Sequence, residues 1–137
     1  MLTPGALPRA LGVLIGVIAV VPLATGVLGI VAGLTIGPDG EAARYFDSEY
    51  RFLNAVWLVA GLALWWSLRR PAERALVTRV VLAGTVLGGL SRLLSVAVVG
   101  WPPVEFRAAM AIELLVIPAL LVWHVRALGP RRSDPLG

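Results

Sequence analysis

The chain has 137 residues, 58% of them hydrophobic and only 15% charged, with a formal net charge of +4. A soluble domain is about half apolar and about a quarter charged, so a mean hydropathy of +0.87 points to a membrane protein with no length to spare for a separate soluble domain. There is no cysteine, all 12 basic residues are arginine, and there is one histidine; this excludes disulfides, thiol nucleophiles, Schiff-base chemistry and a metal or haem centre of several histidines within one chain, and no cofactor is expected.

The first apolar run, Leu11 to Ile36, exceeds the roughly 7–15 residues of a signal-peptide core and has no clean small-residue cleavage site after it. It reads as a retained first helix, bent at Pro22 by the loss of a backbone hydrogen bond. Gly37-Pro38-Asp39-Gly40 breaks it. Asp47 and Ser48 offer capping oxygens to a second helix over 48–68, which Arg69-Arg70-Pro71 stops. A third helix is expected over 75–99, Gly100-Trp101-Pro102-Pro103 forms the next turn, and a fourth helix covers 105–128. The Pro- and Arg-rich tail over 129–137 has the composition of a disordered segment. The expected fold is all-α: one domain over residues 1–128, a four-helix transmembrane bundle in the cell membrane.

Arginines set the expected orientation. Arg9, Arg69, Arg70, Arg74, Arg79, Arg126, Arg131 and Arg132 flank both termini and the loop between helices 2 and 3, while the other two loops carry only Arg44 and Arg107. The positive-inside rule puts both termini in the cytoplasm. Their placement speaks for topology and not for nucleic-acid binding. Trp65, Trp66 and Trp123 then belong to a cytoplasmic aromatic belt. Glu49-Tyr50-Arg51 matches Glu105-Phe106-Arg107, and Ala32-Gly33-Leu34-Thr35 matches Gly88-Gly89-Leu90-Ser91, which is either a duplicated helical hairpin or chance similarity among apolar helices. Gly84, Gly88 and Gly89 offer a small-residue packing face.

Ionisable groups inside a bilayer cost about 2.5–3.5 kcal/mol each and usually face protein. Arg92 and Glu113 lie nearly symmetrically about the Trp101-Pro102-Pro103 turn, each about 12–15 Å along its helix, so antiparallel neighbours bring them to one depth. Asn54 is about 10 Å along helix 2 from Asp47 and can join this layer; Glu49 and Arg51 lie about one turn above, and Trp57 shares the Asn54 face. The resulting acid–base layer has two readings. It is either a structural clamp, or a site in which Glu49 and Glu113 are acid and base while Arg51, Asn54, Trp57 and Arg92 hold substrate. Ser91 and Ser95 are expected to bond helix backbone or a neighbouring helix, and His124, beside Trp123 and Arg126, is expected to anchor at the interface.

Asp-Ser-Glu-Tyr-Arg-Phe at 47–52, Gly89-Leu90-Ser91-Arg92-Leu93-Leu94-Ser95 and Glu113 together resemble a family of small bacterial four-helix integral membrane proteins classed as a domain of unknown function. The resemblance covers about residues 10–128. It implies the four-helix fold and directs attention to Glu49, Arg51, Arg92 and Glu113, without supplying a reaction. Asn54 and Ala55 depart from the small residues or glycine expected there.

Two functions follow as expectations. One is a cofactor-independent membrane enzyme in which a carboxylic acid protonates a lipophilic substrate of isoprenoid type, for cyclisation, isomerisation or epoxide opening, with Trp57 shielding a developing cation. The other is a non-catalytic lipid-binding or accessory subunit in which the charges are structural. A transporter is disfavoured, since four helices rarely enclose a pathway without oligomerising. The expected partners are membrane lipid or a lipophilic small molecule, with a homo-oligomer or larger membrane complex left open.

Overall fold

The computed structural model describes residues 7–33 and 41–129. Among them are four helices and no strand: α1 (Arg9–Ala32), α2 (Glu41–Ser67), α3 (Ala75–Val99) and α4 (Val104–Ala127). The all-α expectation holds. Helices α1, α3 and α4 are long and apolar enough to cross a membrane. Helix α2 falls short of the same criteria: charged residues crowd its first turns, and the rest still carries Arg51 and Asn54 among its apolar residues.

The boundaries of α3 and α4 lie within one residue of expectation, but α2 starts at Glu41 rather than 48. Glu-Ala-Ala-Arg at 41–44 are good helix formers, and the Asp47 carboxylate accepts from Arg51 one turn later instead of capping a helix start. Helix α1 runs from Arg9 to Ala32, and Gly33, with φ +68, ends it short of the expected unbroken helix to Ile36, because a left-handed residue cannot continue the right-handed ladder. Residues 34–36, the turn at 37–40 and the tail beyond Gly129 lie outside the described residues.

The chain divides into two units, in essence the α1–α2 hairpin and the α3–α4 hairpin. In the first, buried positions on α1 recur at Ile15, Ala19, Pro22, Gly26 and Gly29, the 3–4 spacing of one helical face. Most are small, and that lets the backbones meet. A Cβ on Gly26 would sit 2.9 Å from the Leu58 Cβ and 3.0 Å from the Asn54 carbonyl oxygen. Pro22 lies against Gly61 in the same way. Close approach of small residues is how helices associate where no water drives them together. The small-residue face expected on α3 does not form: a Cβ on Gly84 or Gly88 would meet nothing within 4 Å, and only Gly89 is buried.

In the second hairpin the buried positions are Thr78, Leu82 and Gly89 on α3, and Met110, Ile117, Leu120 and His124 on α4. Helix α4 contains one π-helical turn, Ile112–Val116, in which the Ile117 N–H donates to the Ile112 carbonyl five residues back. The sequence supplies the cause. Pro118 has no N–H, and its ring would collide with the Leu114 carbonyl in a regular ladder, so the preceding turn widens.

The hairpins also test the duplication. Gly26 packs on Leu58 and Gly89 packs on Leu114. Leu58 and Leu114 keep the spacing of the Glu-Tyr/Phe-Arg match, but the glycine that packs on this leucine is Gly26 in the first hairpin and Gly89 in the second, whereas the Ala32–Gly88 match aligns Gly33 with Gly89. The matched segments at Ala32 and Gly88 are therefore out of register by two helical turns. Across both hairpins large apolar side chains stay uncovered, with Val31, Leu76, Val98 and Leu115 each more than 70% exposed. Only 11% of the most apolar stretch of α3 is buried within the chain. Apolarity on this scale serves a lipid environment, not an internal core.

Candidate functional site: the charged pair of the second hairpin

Arg92 on α3 and Glu113 on α4 are brought together as expected, with Nε 3.1 Å from Oε2. Three local features make the meeting. Gly89, one turn before Arg92, has no side chain to hold α4 away; a Cβ there would lie 2.8 Å from the Glu113 Cβ. The π-turn aims Glu113 into that gap. The Phe106 ring, two turns before Glu113 on the same helix, sits 5.4 Å from the Arg92 guanidinium carbon, within reach of a cation–π attraction. Glu113 is 13% exposed and Arg92 41%, so the carboxylate is the deeper partner. Oε2 is buried and receives no hydrogen bond: at 3.1 Å the contact is electrostatic, because the Nε–H is not aimed along it. π-turns concentrate at functional sites, as do ionisable groups inside apolar helices.

The residues expected beside this pair are engaged within the first hairpin. The Arg51 Nε–H donates to Asp47 Oδ2 at 2.8 Å. Its Nη1 donates to the Ile30 carbonyl and, at 3.3 Å, to the Val31 carbonyl. Arg51 thus satisfies the orphan carbonyls at the end of α1, where a cation also suits the helix dipole. Gly33, with φ +68, closes that helix in the left-handed conformation, and any Cβ on it would strike the Arg51 guanidinium and the Asp47 carboxylate. Asn54 donates from Nδ2 to the Tyr50 carbonyl at 2.8 Å and lays its carboxamide over Gly29. Trp57 donates from Nε1 to Thr25 Oγ1 at 3.2 Å. Glu49 is exposed and has no partner among the described residues.

Ser91 donates to the Leu87 carbonyl at 3.0 Å, the backbone role expected of it. His124 differs from expectation. It is fully buried rather than interfacial, and both ring nitrogens lack a partner among the described residues, because it continues the inward stripe Ile117–Leu120–His124 of α4. Sequence reasoning missed Phe106, Pro118 and the glycines opposite Asn54 and Arg51. Phe106 was findable, since it lies seven residues before Glu113 and shares its helix face.

Among the described residues no cluster of histidine, cysteine or carboxylates could hold a metal ion. Helical hairpins with apolar outer surfaces and ionisable groups set inside apolar helices fit one class, the small helical membrane proteins. Within that class the chain matches, over residues 10–124, the family described as a domain of unknown function, DUF4345, and it belongs to that family. No curated relative and no solved structure matches it.

Proposed function

We propose that the chain is a multi-pass protein of the cell membrane that holds a lipophilic molecule against the Arg92–Glu113 pair, as a lipid-binding or accessory component. The observation carrying this reading is the half-open arginine: Glu113 engages Nε, while 41% of the Arg92 side chain is exposed within a helix apolar enough to span a bilayer. An arginine so placed calls for a partner from outside the chain. Arg51 and Trp57 already spend their polar groups on α1 and Asn54 on the Tyr50 carbonyl of its own helix, which favours binding over a six-residue catalytic layer. The test is lipid extraction from the purified protein: wild type should carry a lipophile in near-stoichiometric amount, and Arg92→Gln should not. Equal lipid content in the two proteins would sink the reading.

A second reading, a cofactor-independent acid–base enzyme acting on a lipophilic substrate, is favoured by one observation: Glu113 sits in a π-turn with an oxygen free of hydrogen bonds. It requires that Glu113→Gln abolish product formation from the bound lipophile while the folded fraction is unchanged.

A further inference from the structure

The same end of the α3–α4 hairpin holds a second arginine arranged like the first. Arg107 donates from Nε to the Pro102 carbonyl at 2.7 Å, and its guanidinium carbon lies 5.6 Å from the Trp101 ring centre. Arg92 is held at Nε by Glu113, with its guanidinium carbon 5.4 Å from the Phe106 ring centre. In both, the inner nitrogen faces a protein oxygen, by hydrogen bond in Arg107 and by ion-pair contact in Arg92, an aromatic ring lies beside the guanidinium, and the terminal nitrogens make no hydrogen bond among the described residues. Glu105, exposed in the first turn of α4, pairs with neither arginine in the structure.

The placement adds direction. Glu113 and Phe106 are two turns apart on α4, about 10 Å, and Arg92 reaches from the deeper to the shallower of them. Phe106 adjoins Arg107 in sequence, so the ring beside the Arg92 guanidinium lies on the stretch of α4 that also carries Arg107. Long cationic side chains inside apolar helices run outward to the headgroup level in this way.

We infer that Arg92 and Arg107 form a receptor for the phosphate of a membrane lipid, with Phe106 and Trp101 fixing the two guanidinium planes and the acyl chains lying along the uncovered apolar faces. The inference rests on the lipid-binding reading above and names its headgroup. Guanidinium groups with free terminal N–H pairs match phosphate oxygens in geometry and charge. A neutral sugar or hydroxyl headgroup offers acceptors without charge and leaves the two cations unbalanced.

The experiment is native mass spectrometry of the full chain in a mild non-ionic detergent. It compares dioleoylphosphatidylglycerol with a galactosyl diacylglycerol of the same acyl chains. Wild type should retain the phospholipid about tenfold better, the scale of one charge-assisted hydrogen bond. Arg107→Gln and Arg92→Gln should each lose that preference, and Arg126→Gln, an exposed arginine at the other end of α4, should keep it. Arg107 lies on an exposed turn, so its variant reads out the site even where Arg92→Gln fails to fold. Equal retention of the two lipids by wild type would overturn phosphate recognition and leave lipid binding standing. Retention of neither would overturn both. Displacement of the lipid by millimolar inorganic phosphate would identify free phosphate as the ligand and overturn the lipid assignment. A loss in Arg126→Gln equal to that in Arg107→Gln would reduce the effect to bulk charge and overturn the site.

Discussion

A Cβ built on Gly89 falls 2.8 Å from the Cβ of Glu113, a separation that real side chains do not tolerate, so α3 and α4 approach as they do because residue 89 is glycine. Gly89→Ala should force the helices apart and cost about 1–3 kcal/mol, as overpacking does. Gly84→Ala and Gly88→Ala meet nothing within 4 Å and should be neutral or stabilising by up to about 1 kcal/mol, since they remove helix-interior glycine. Melting temperatures in one detergent would check the contrast; an equal loss at Gly88 and Gly89 would contradict it.

The charged pair should respond asymmetrically. Breaking a buried pair typically costs about 3–5 kcal/mol, but Arg92 is 41% exposed and Glu113 13%, so an arginine that snorkels to the hydrated headgroup level, where screening operates, trims this to about 1–3 kcal/mol. Arg92→Gln strands a buried carboxylate, whereas Glu113→Gln leaves a cation with access to the exterior. Arg92→Gln should therefore be the more damaging by thermal melting. The opposite order would show that the arginine, and not the carboxylate, carries the desolvation cost.

In the first hairpin, Arg51→Gln should destabilise by about 1–2 kcal/mol through the loss of charge-assisted bonds to the end of α1. Arg51→Lys should not rescue it, because one ammonium cannot reproduce the guanidinium fork. Gly33→Ala adds a left-handed backbone penalty of about 1–2 kcal/mol and displaces the same guanidinium. Full recovery with lysine would remove the helix-end role assigned to Arg51.

Legibility followed punctuation and symmetry. Arg69-Arg70-Pro71 and Gly100-Trp101-Pro102-Pro103 are strong stops, so α3 and α4 were readable to the residue or nearly so. Arg92 and Glu113 were readable as a pair because equal distances from one turn put them at one depth. The start of α2 was not, because Asp47 is equally a cap and an i,i+4 partner, and only the presence of Arg51 at the right spacing decides. The partners of Arg51, Asn54 and Trp57 were hidden because hairpin register depends on where glycines let backbones touch, at Gly26, Gly29 and Gly33. Hydropathy does not encode that. The burial of His124 was hidden for a related reason: its neighbours Trp123 and Arg126 signal an interface, while its own helix phase, shared with Ile117 and Leu120, points inward.

Topology turns on α2. With four spans, both termini and the α2–α3 loop share the cytoplasmic face. In intact cells Asp39→Cys should then label with an impermeant thiol reagent, while Ala72→Cys and Ser133→Cys should stay dark. Because α2 is the one helix of the four short of membrane-spanning apolarity, Ala72→Cys is the informative site. Labelling at both 39 and 72 would mean that α2 does not cross.

The π-turn gives the last prediction, because it ties Pro118 to a pair it does not touch. Ile117 donates to Ile112, and residue 118, as proline, has nothing to donate to Leu114. Alanine at 118 restores that donor and removes the ring clash, so a regular α ladder becomes available through Glu113. Returning to it rotates the segment before the turn by about 100°, one residue of helix, and swings Glu113 off Gly89 and Arg92. Melting temperature alone would not report this, since the repaired ladder offsets part of the lost contact. A double-mutant cycle does. Glu113→Gln should be costly in the wild-type background and nearly free in Pro118→Ala, giving a coupling of about 1 kcal/mol or more between two residues that share no contact. If Glu113→Gln costs the same in both backgrounds, the widened turn is incidental to the pair, and Gly89 alone positions the carboxylate.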